Sequence, residues 1–292
     1  MIQHTPLSRR TTVLVVVVVV TFSCFQVMLS LAFSSSSPAT TSGKSSKDND
    51  VKNPLIFSDY PMEITYDKLA VRLKEKVPSD DSKRQYWVAI AGGPGSGKTT
   101  TATEVAKRLN QNVDSDKKVC VVLPMDGFHY SKERLREMDP PDAATYLLRR
   151  GAPWTMDAEL CYELLKMAKE KRTGELPTYC REISDPVNGG VSLLSHHKVV
   201  LVEGLYLLSK DDPRWEPLQE LWDEKWLVRC PSREEQRERL IQRSLKTWND
   251  LKVKTWGPGR EGAEKKVAAN DDLNMDIVAK SDKYADLIIE SK

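Results

Sequence analysis

The chain has 292 residues, 29% of them charged, with a formal net charge of +2. That length suits one large α/β domain behind an N-terminal extension, and the balanced charge gives no sign of a nucleic-acid or membrane-surface protein. The five cysteines, Cys24, Cys120, Cys161, Cys180 and Cys230, lie far apart with no C-x-x-C, so neither a zinc site nor a disulfide framework is indicated.

The N-terminus reads as an address. No acidic side chain precedes Asp48, and Arg9-Arg10 come ahead of the apolar run from Val13 to Val20. Ser30-Leu31-Ala32 then puts small residues where a signal peptidase inspects the chain. A membrane anchor over Val13 to Phe33 is the alternative, because that stretch is about long enough to cross a bilayer. From Phe33 to Lys44 the chain is hydroxyl-rich, acid-poor and aperiodic, which is transit-peptide composition. A signal followed by such a segment resembles the bipartite presequences of algae with secondary plastids, and the resemblance implies a plastid for the mature protein. A secretory or membrane-anchored location is the other reading. Residues 1–54 are therefore set apart as a largely disordered presequence, and 55–292 as the folded domain.

Apolar residues at Leu69, Ala70, Leu73 and Val77 predict a helix over 64–77, stopped by Pro78-Ser79-Asp80-Asp81. Tyr86 to Ala91 is predicted as the first parallel strand. It empties into Gly92-Gly93-Pro94-Gly95-Ser96-Gly97-Lys98-Thr99-Thr100, a match to G-x-x-x-x-G-K-[ST], and a helix-compatible run over 101–109 follows. Glycines allow the backbone to curl its N–H groups around an anion, and the next helix presents its positive end to the same group. Lys98 would reach the β- and γ-phosphate oxygens of ATP, the Thr99 hydroxyl would ligate Mg²⁺, and Thr100 would lie near the α-phosphate.

A second short strand over 118–126 closes in Asp126-Gly127-Phe128-His129. Ligands collect at the carboxyl ends of parallel strands, so Asp126 is expected near the triphosphate, as a proton acceptor or holding Mg²⁺ through water. The stretch 131–195 is polar and broken, with a helix over 158–171 capped by Asp157 and turns from Pro177 to Pro186. An insertion at the mouth of a sheet usually selects the substrate, and His129, Trp154, Tyr179 and Arg181 are its candidate contacts. The apolar run from His197 to Leu208 carries Glu203 at the expected strand end, where a carboxylate can order Mg²⁺ or its water shell. A further strand over 225–230 leads to a helix opened by a Ser232/Glu235 capping box. On it, Arg239 and Arg243 lie one turn apart and could fold over the triphosphate as a lid. Trp256 to Gly262 looks hinge-like, and a closing strand runs over 285–290.

In their order, the phosphate loop, Met125-Asp126-Gly127-Phe128-His129, the Arg-Gly-Ala-Pro segment, Val202-Glu203-Gly204-Leu205-Tyr206, Arg239 with Arg243, and Asn270-Asp271 resemble the phosphoribulokinase/uridine kinase family. The likeness runs from about Tyr86 to the C-terminus, nearest to uridine-kinase-like and pantothenate-kinase-like members. It implies an α/β P-loop NTPase fold, a doubly wound parallel sheet flanked by helices with a lid helix, and transfer of the ATP γ-phosphate to a hydroxyl. It also implies Asp126 as general base, Lys98 and Thr99 on phosphates and Mg²⁺, Glu203 near the metal, and the lid arginines on the transferred group. Asn270-Asp271 would be adenine-side or structural. The chain departs from the family at Ser244, where a histidine often follows the lid arginine, and its phosphate loop lacks the regulatory cysteine of plant phosphoribulokinases.

The expectation is an ATP- and Mg²⁺-dependent kinase acting on a small-molecule hydroxyl of a sugar, a pantothenate-like acid or a nucleoside. No nucleic acid or membrane is expected for the mature form, and a homodimer is left open. The alternative from another class is an ATPase switch or assembly factor acting on a protein partner.

Overall fold

The computed structural model describes residues 53–77, 84–138 and 143–292. The signal- and transit-like features, Cys24 and the helix stop at Pro78 to Asp81 lie outside the described residues. In chain order the elements are β1 (Leu55–Phe57), α1 (Met62–Lys76), β2 (Tyr86–Ala91), α2 (Lys98–Leu109), β3 (Cys120–Pro124), α3 (Lys132–Glu137), α4 (Ala143–Leu148) and α5 (Ala158–Lys171). Then come β4 (Gly174–Cys180), β5 (Asp185–Leu193), β6 (Val199–Gly204), β7 (Glu224–Arg229), α6 (Arg233–Leu245), α7 (Asp250–Trp256), α8 (Gly259–Lys266), α9 (Asp272–Ala279) and β8 (Leu287–Glu290).

Six strands form one parallel sheet in the order β1-β8-β7-β2-β6-β3. The central strands β2 and β6 read as near-continuous apolar runs because helices cover both their faces. Successive side chains point to opposite faces of a strand, and β2 divides accordingly. Val88 and Ile90 join a core with Leu69 and Leu73 of α1 and Val105 of α2. Trp87, Ala89 and Ala91 face the other way, toward Cys161 and Leu165 of α5 and the buried Trp215 and Leu218. The expected α/β fold with helices on both sides of a parallel sheet is thus the one observed.

Several elements were not legible in advance, among them β1 and the β4–β5 hairpin. β1 is only three residues long, too short to show a period, and pairs with β8 at the sheet edge. Where turns were expected from Pro177 to Pro186, β4 and β5 form an antiparallel hairpin. Proline punctuation hid it, yet Pro177 falls at a register shift between Leu176 and Thr178, where a missing N–H is tolerated. Leu176 and Leu193 anchor the hairpin in the main core.

The helix caps follow the sequence. The Asp157 carboxylate accepts from the Leu160 N–H at 2.9 Å, and the Ser232 hydroxyl from the Glu235 N–H at 3.0 Å. The Glu235 carboxylate instead pairs with Arg239, so only half of the capping box forms. The hinge-like stretch holds Gly257 and Gly259 at φ of 99° and 51°, backbone that favours glycine. A small separate core of Leu240, Ile241, Ala263, Val267 and Met275 unites α6, α8 and α9. Among the described residues no helix is long and apolar enough to cross a membrane.

The hairpin sits directly on the turn after β3. A Cβ at Gly127 would lie 2.2 Å from the Pro177 carbonyl oxygen, so no larger residue fits without lifting β4. Gly127→Ala is therefore expected to cost about 1–3 kcal/mol through overpacking, read as a lower urea midpoint with an unchanged m-value.

Candidate active site

Register brings the site together. Glu203 of β6 is paired with Ile90 of β2 on one side and with Pro124 of β3 on the other. The phosphate loop leaves β2 just beyond Ala91, and Asp126 follows β3 by two residues, so both flank the Glu203 strand end. This is the crevice outside the carboxyl ends of the strands where α/β sheets take ligands.

The loop is a cradle closed to side chains. A Cβ at Gly92 would meet the Ser96 Oγ at 2.4 Å and the Val228 carbonyl oxygen at 2.5 Å. Gly95 and Gly97 hold φ of 75° and 92°, and Gly97 delivers the chain into α2 at Lys98. A helix start leaves its first N–H groups without intrahelical partners. The Ser96 hydroxyl is buried and has no partner among the described residues. Glycine-only backbone, an orphan hydroxyl and a helix N-terminus fit the phosphates of a nucleotide.

The Thr99 hydroxyl donates to Glu203 Oε2 at 3.1 Å. Glu203 is 5% exposed, and that burial raises its carboxyl above the ordinary range, against the pull of the Lys98 ammonium beside it. The Asp126 carboxylate adds to the rise, while Arg181 and the Thr99 hydrogen bond oppose it. Lys98, Thr99, Asp126 and Glu203 thus share one electrostatic neighbourhood, with Arg181 at its rim. Among the described residues no cluster of three or more His, Cys, Asp or Glu could hold a metal alone. Two protein oxygens, from Thr99 and Glu203, nevertheless suit Mg²⁺, which takes most of its octahedron from phosphate and water.

At the turn after β3, His129 Nδ1 lies 2.8 Å from the Asp126 carbonyl oxygen. A carbonyl only accepts, so Nδ1 carries the proton and Nε2 is left as an acceptor. Burial lowers the pKa of this ring, which favours the neutral form. The Tyr179 ring stands 5.1 Å from that of His129. Arg150, which sequence reasoning passed over, lies 5.5 Å from the Tyr179 ring, donates to the Tyr130 carbonyl at 2.9 Å and is ion-paired with Asp185. Asp185 in turn accepts from the Lys132 N–H at 2.9 Å. The sequence signals Arg150 only through the arginine doublet before Gly151.

The remaining candidates stand further out. Trp154 is 37% exposed and borders two cavities of about 250 and 600 Å³ that share Arg214; neither is lined by Lys98, Asp126 or Glu203. Arg239 does not lie free over the loop: it donates to Ser291 Oγ at 2.9 Å and to the Ser291 carbonyl at 3.1 Å. Ser291 Oγ donates onward to the Ser96 carbonyl at 2.6 Å, so Arg239 meets the loop through the C-terminal segment. Arg243 is exposed. The contacts of α6 with the loop come from Gln236, whose Nε2 donates to the Pro94 carbonyl at 2.7 Å, and from Leu240 against Gly95.

Comparison with known proteins shows the family. The model of the phosphoribulokinase / uridine kinase family matches residues 87–245. A Schizosaccharomyces pombe protein provisionally named a uridine kinase is 32% identical over 234 residues, 80% of this chain and 93% of its own. An ATP-dependent kinase-like protein of Aspergillus versicolor, notR', is 35% identical over 164 residues, 54% of this chain and 88% of its own. A solved structure from Silicibacter sp. TM1040, provisionally named a fructose transport system kinase, superposes with a TM-score of 0.63 at 29% identity, covering 76% of this chain and 98% of its own. A family match along more than half the chain, with a relative aligned over 80% of it, means that this protein belongs to the phosphoribulokinase/uridine kinase family of P-loop small-molecule kinases.

Proposed function

We propose that this kinase moves the γ-phosphoryl group of ATP to a hydroxyl of a small polar molecule, with Asp126 taking the hydroxyl proton. One observation carries the reading: two carboxylates flank the phosphate loop, and their environments divide the labour. Glu203 is buried and committed to the Thr99 hydroxyl, on the metal side. Asp126 makes no side-chain hydrogen bond to another side chain among the described residues and stands where the hairpin meets the turn after β3.

When bound, Mg²⁺ neutralises charge on the β- and γ-phosphate oxygens. The glycine cradle and Lys98 would hold those phosphates, Thr99 and Glu203 would hold the metal or its water, and the chain's further task is positioning. Asp126 orients the attacking hydroxyl and accepts its proton. His129 Nε2 would offer a further acceptor, which suits a molecule with more than one hydroxyl. Sugars, pantothenate-like acids and nucleosides all meet that demand, and the names of the uridine- and fructose-related relatives fit it. Tyr179 would provide a ring face and Arg181 a guanidinium for the rest of the acceptor, while Trp154 stands further out, beside the cavities it shares with Arg214. Arg239, held by Ser291, would act on the transferred group only after leaving that contact, and the exposed Arg243 is the freer candidate lid cation. Family membership supports this reading over a nucleotide-gated switch. For location the proposal is a plastid, from the resemblance of residues 1–54 to a bipartite signal-plus-transit presequence.

Purified protein incubated with ATP, Mg²⁺ and a pooled panel of sugars, nucleosides, pantothenate and hydroxy acids is expected to yield one product heavier by a phosphoryl group. Asp126→Asn should lower its rate roughly 10²–10⁴-fold with ATP affinity retained; an undiminished rate would remove Asp126 from the mechanism. Glu203→Gln separates function from stability. Because the folded pKa of Glu203 is raised, the stability it permits is full below the unfolded value and is lost as pH rises through the folded one. The variant should therefore unfold at higher urea than wild type at pH 7 and match it near pH ~4, while turnover drops about 10–100-fold.

A further inference from the structure

The Asn270-Asp271 pair lies in a π-turn, Val267–Asp271, between α8 and α9. Wider i→i+5 pairing disturbs the regular ladder there and leaves carbonyls open to outside donors. Arg149 supplies them: Nη1 donates to the carbonyls of Ala269 at 3.1 Å and Asn270 at 3.4 Å, and Nη2 to Asn274 Oδ1 at 3.1 Å. The return bond runs from Asn270 Nδ2 to the Arg150 carbonyl at 3.0 Å. Asn274 is 2% exposed, so its side chain is committed to this contact. The two joined segments are some 120 residues apart in sequence.

Each end of this clamp borders one half of the site. Met275, next to Asn274, packs against the phosphate loop, where its Cγ lies 3.3 Å from the Cβ position of Gly93. At the other end, Arg150 ties down Tyr130 and Asp185, and the Gly151 carbonyl accepts from the Tyr206 hydroxyl at 2.6 Å. The Arg149 guanidinium also lies 5.5 Å from the Trp154 ring centre. A planar fork can meet several acceptors and still present a face to an indole, which a lysine ammonium cannot do.

We propose that Arg149 is a positioning residue for phosphoryl transfer, fixing the acceptor-side turn that carries Arg150 and Trp154 to the helix that walls the phosphate loop. Nucleotide and acceptor are then held in register through one rigid connection. Arg149 acts through Arg150, Trp154 and Asn274. The activity arm of the test rests on the kinase reading; the binding arm needs only a nucleotide.

Hydrogen exchange with and without ADP and Mg²⁺ provides the binding arm. In wild type, ADP should slow exchange over both 92–100 and 149–156. In Arg149→Lys, protection over 92–100 persists while the ADP-dependent slowing over 149–156 falls at least about tenfold. Asn270→Ala, a milder change, should act in the same direction, and the double variant should be little worse than Arg149→Lys because both cut one clamp. With the acceptor in hand, its KM rises about tenfold or more in Arg149→Lys while the KM for ATP moves less than about twofold. Wild-type protection confined to 92–100 overturns the clamp alone. So does a variant that only loses thermal stability, with both KM values unchanged or raised equally. Absence of ADP protection over 92–100 overturns the clamp and the kinase reading together.

Discussion

Burying the Glu203 carboxylate at the end of a fully covered strand is the constraint on which the rest of the site depends. A carboxylate taken out of water is costly unless its charge and lone pairs are met. Here the Thr99 hydroxyl meets one oxygen at 3.1 Å, and the Lys98 ammonium supplies the opposing charge. Both come from the first turn of α2, so the carboxylate fixes that helix against β6, and the glycine loop can only close as it does.

Around that centre the two reactant sides are built differently. The nucleotide side is continuous in sequence, one strand running into one loop and one helix. The side proposed for the acceptor is assembled from separate pieces: the turn after β3, the β4–β5 hairpin seated on Gly127, and the turn through Arg149 and Arg150. Ion pairing of Arg150 with Asp185 and the bonds from Lys132 give those pieces one geometry. Kinases that share a phosphate cradle differ in what they phosphorylate, and this division of construction shows where such differences can accumulate without disturbing the cradle.

The lid region makes a third unit with its own small core, and its placement modifies the simplest picture of two arginines folded over a triphosphate. Arg239 reaches the loop by way of Ser291, whereas Gln236 and Leu240 make the direct contacts. Helical spacing correctly put Arg239 and Arg243 on neighbouring turns, but which side of α6 faces the loop was set by the burial of Leu240 and Ile241 against α8 and α9.

The sequence by itself determined the strand, glycine loop and helix of the phosphate site, because each is encoded in adjacent residues whose backbone limits are local. It also determined that Asp126 and Glu203 end apolar strands, and parallel pairing then forces such ends to one edge of the sheet. Tertiary structure alone decided that Arg150 would meet Asp185, that Arg149 would satisfy the carbonyls of Ala269 and Asn270, and that Pro177 would rest on Gly127. Those contacts join segments far apart in the chain, and none leaves a period or a local motif. A polar side chain shows its chemistry in the sequence, but its partner is chosen by packing.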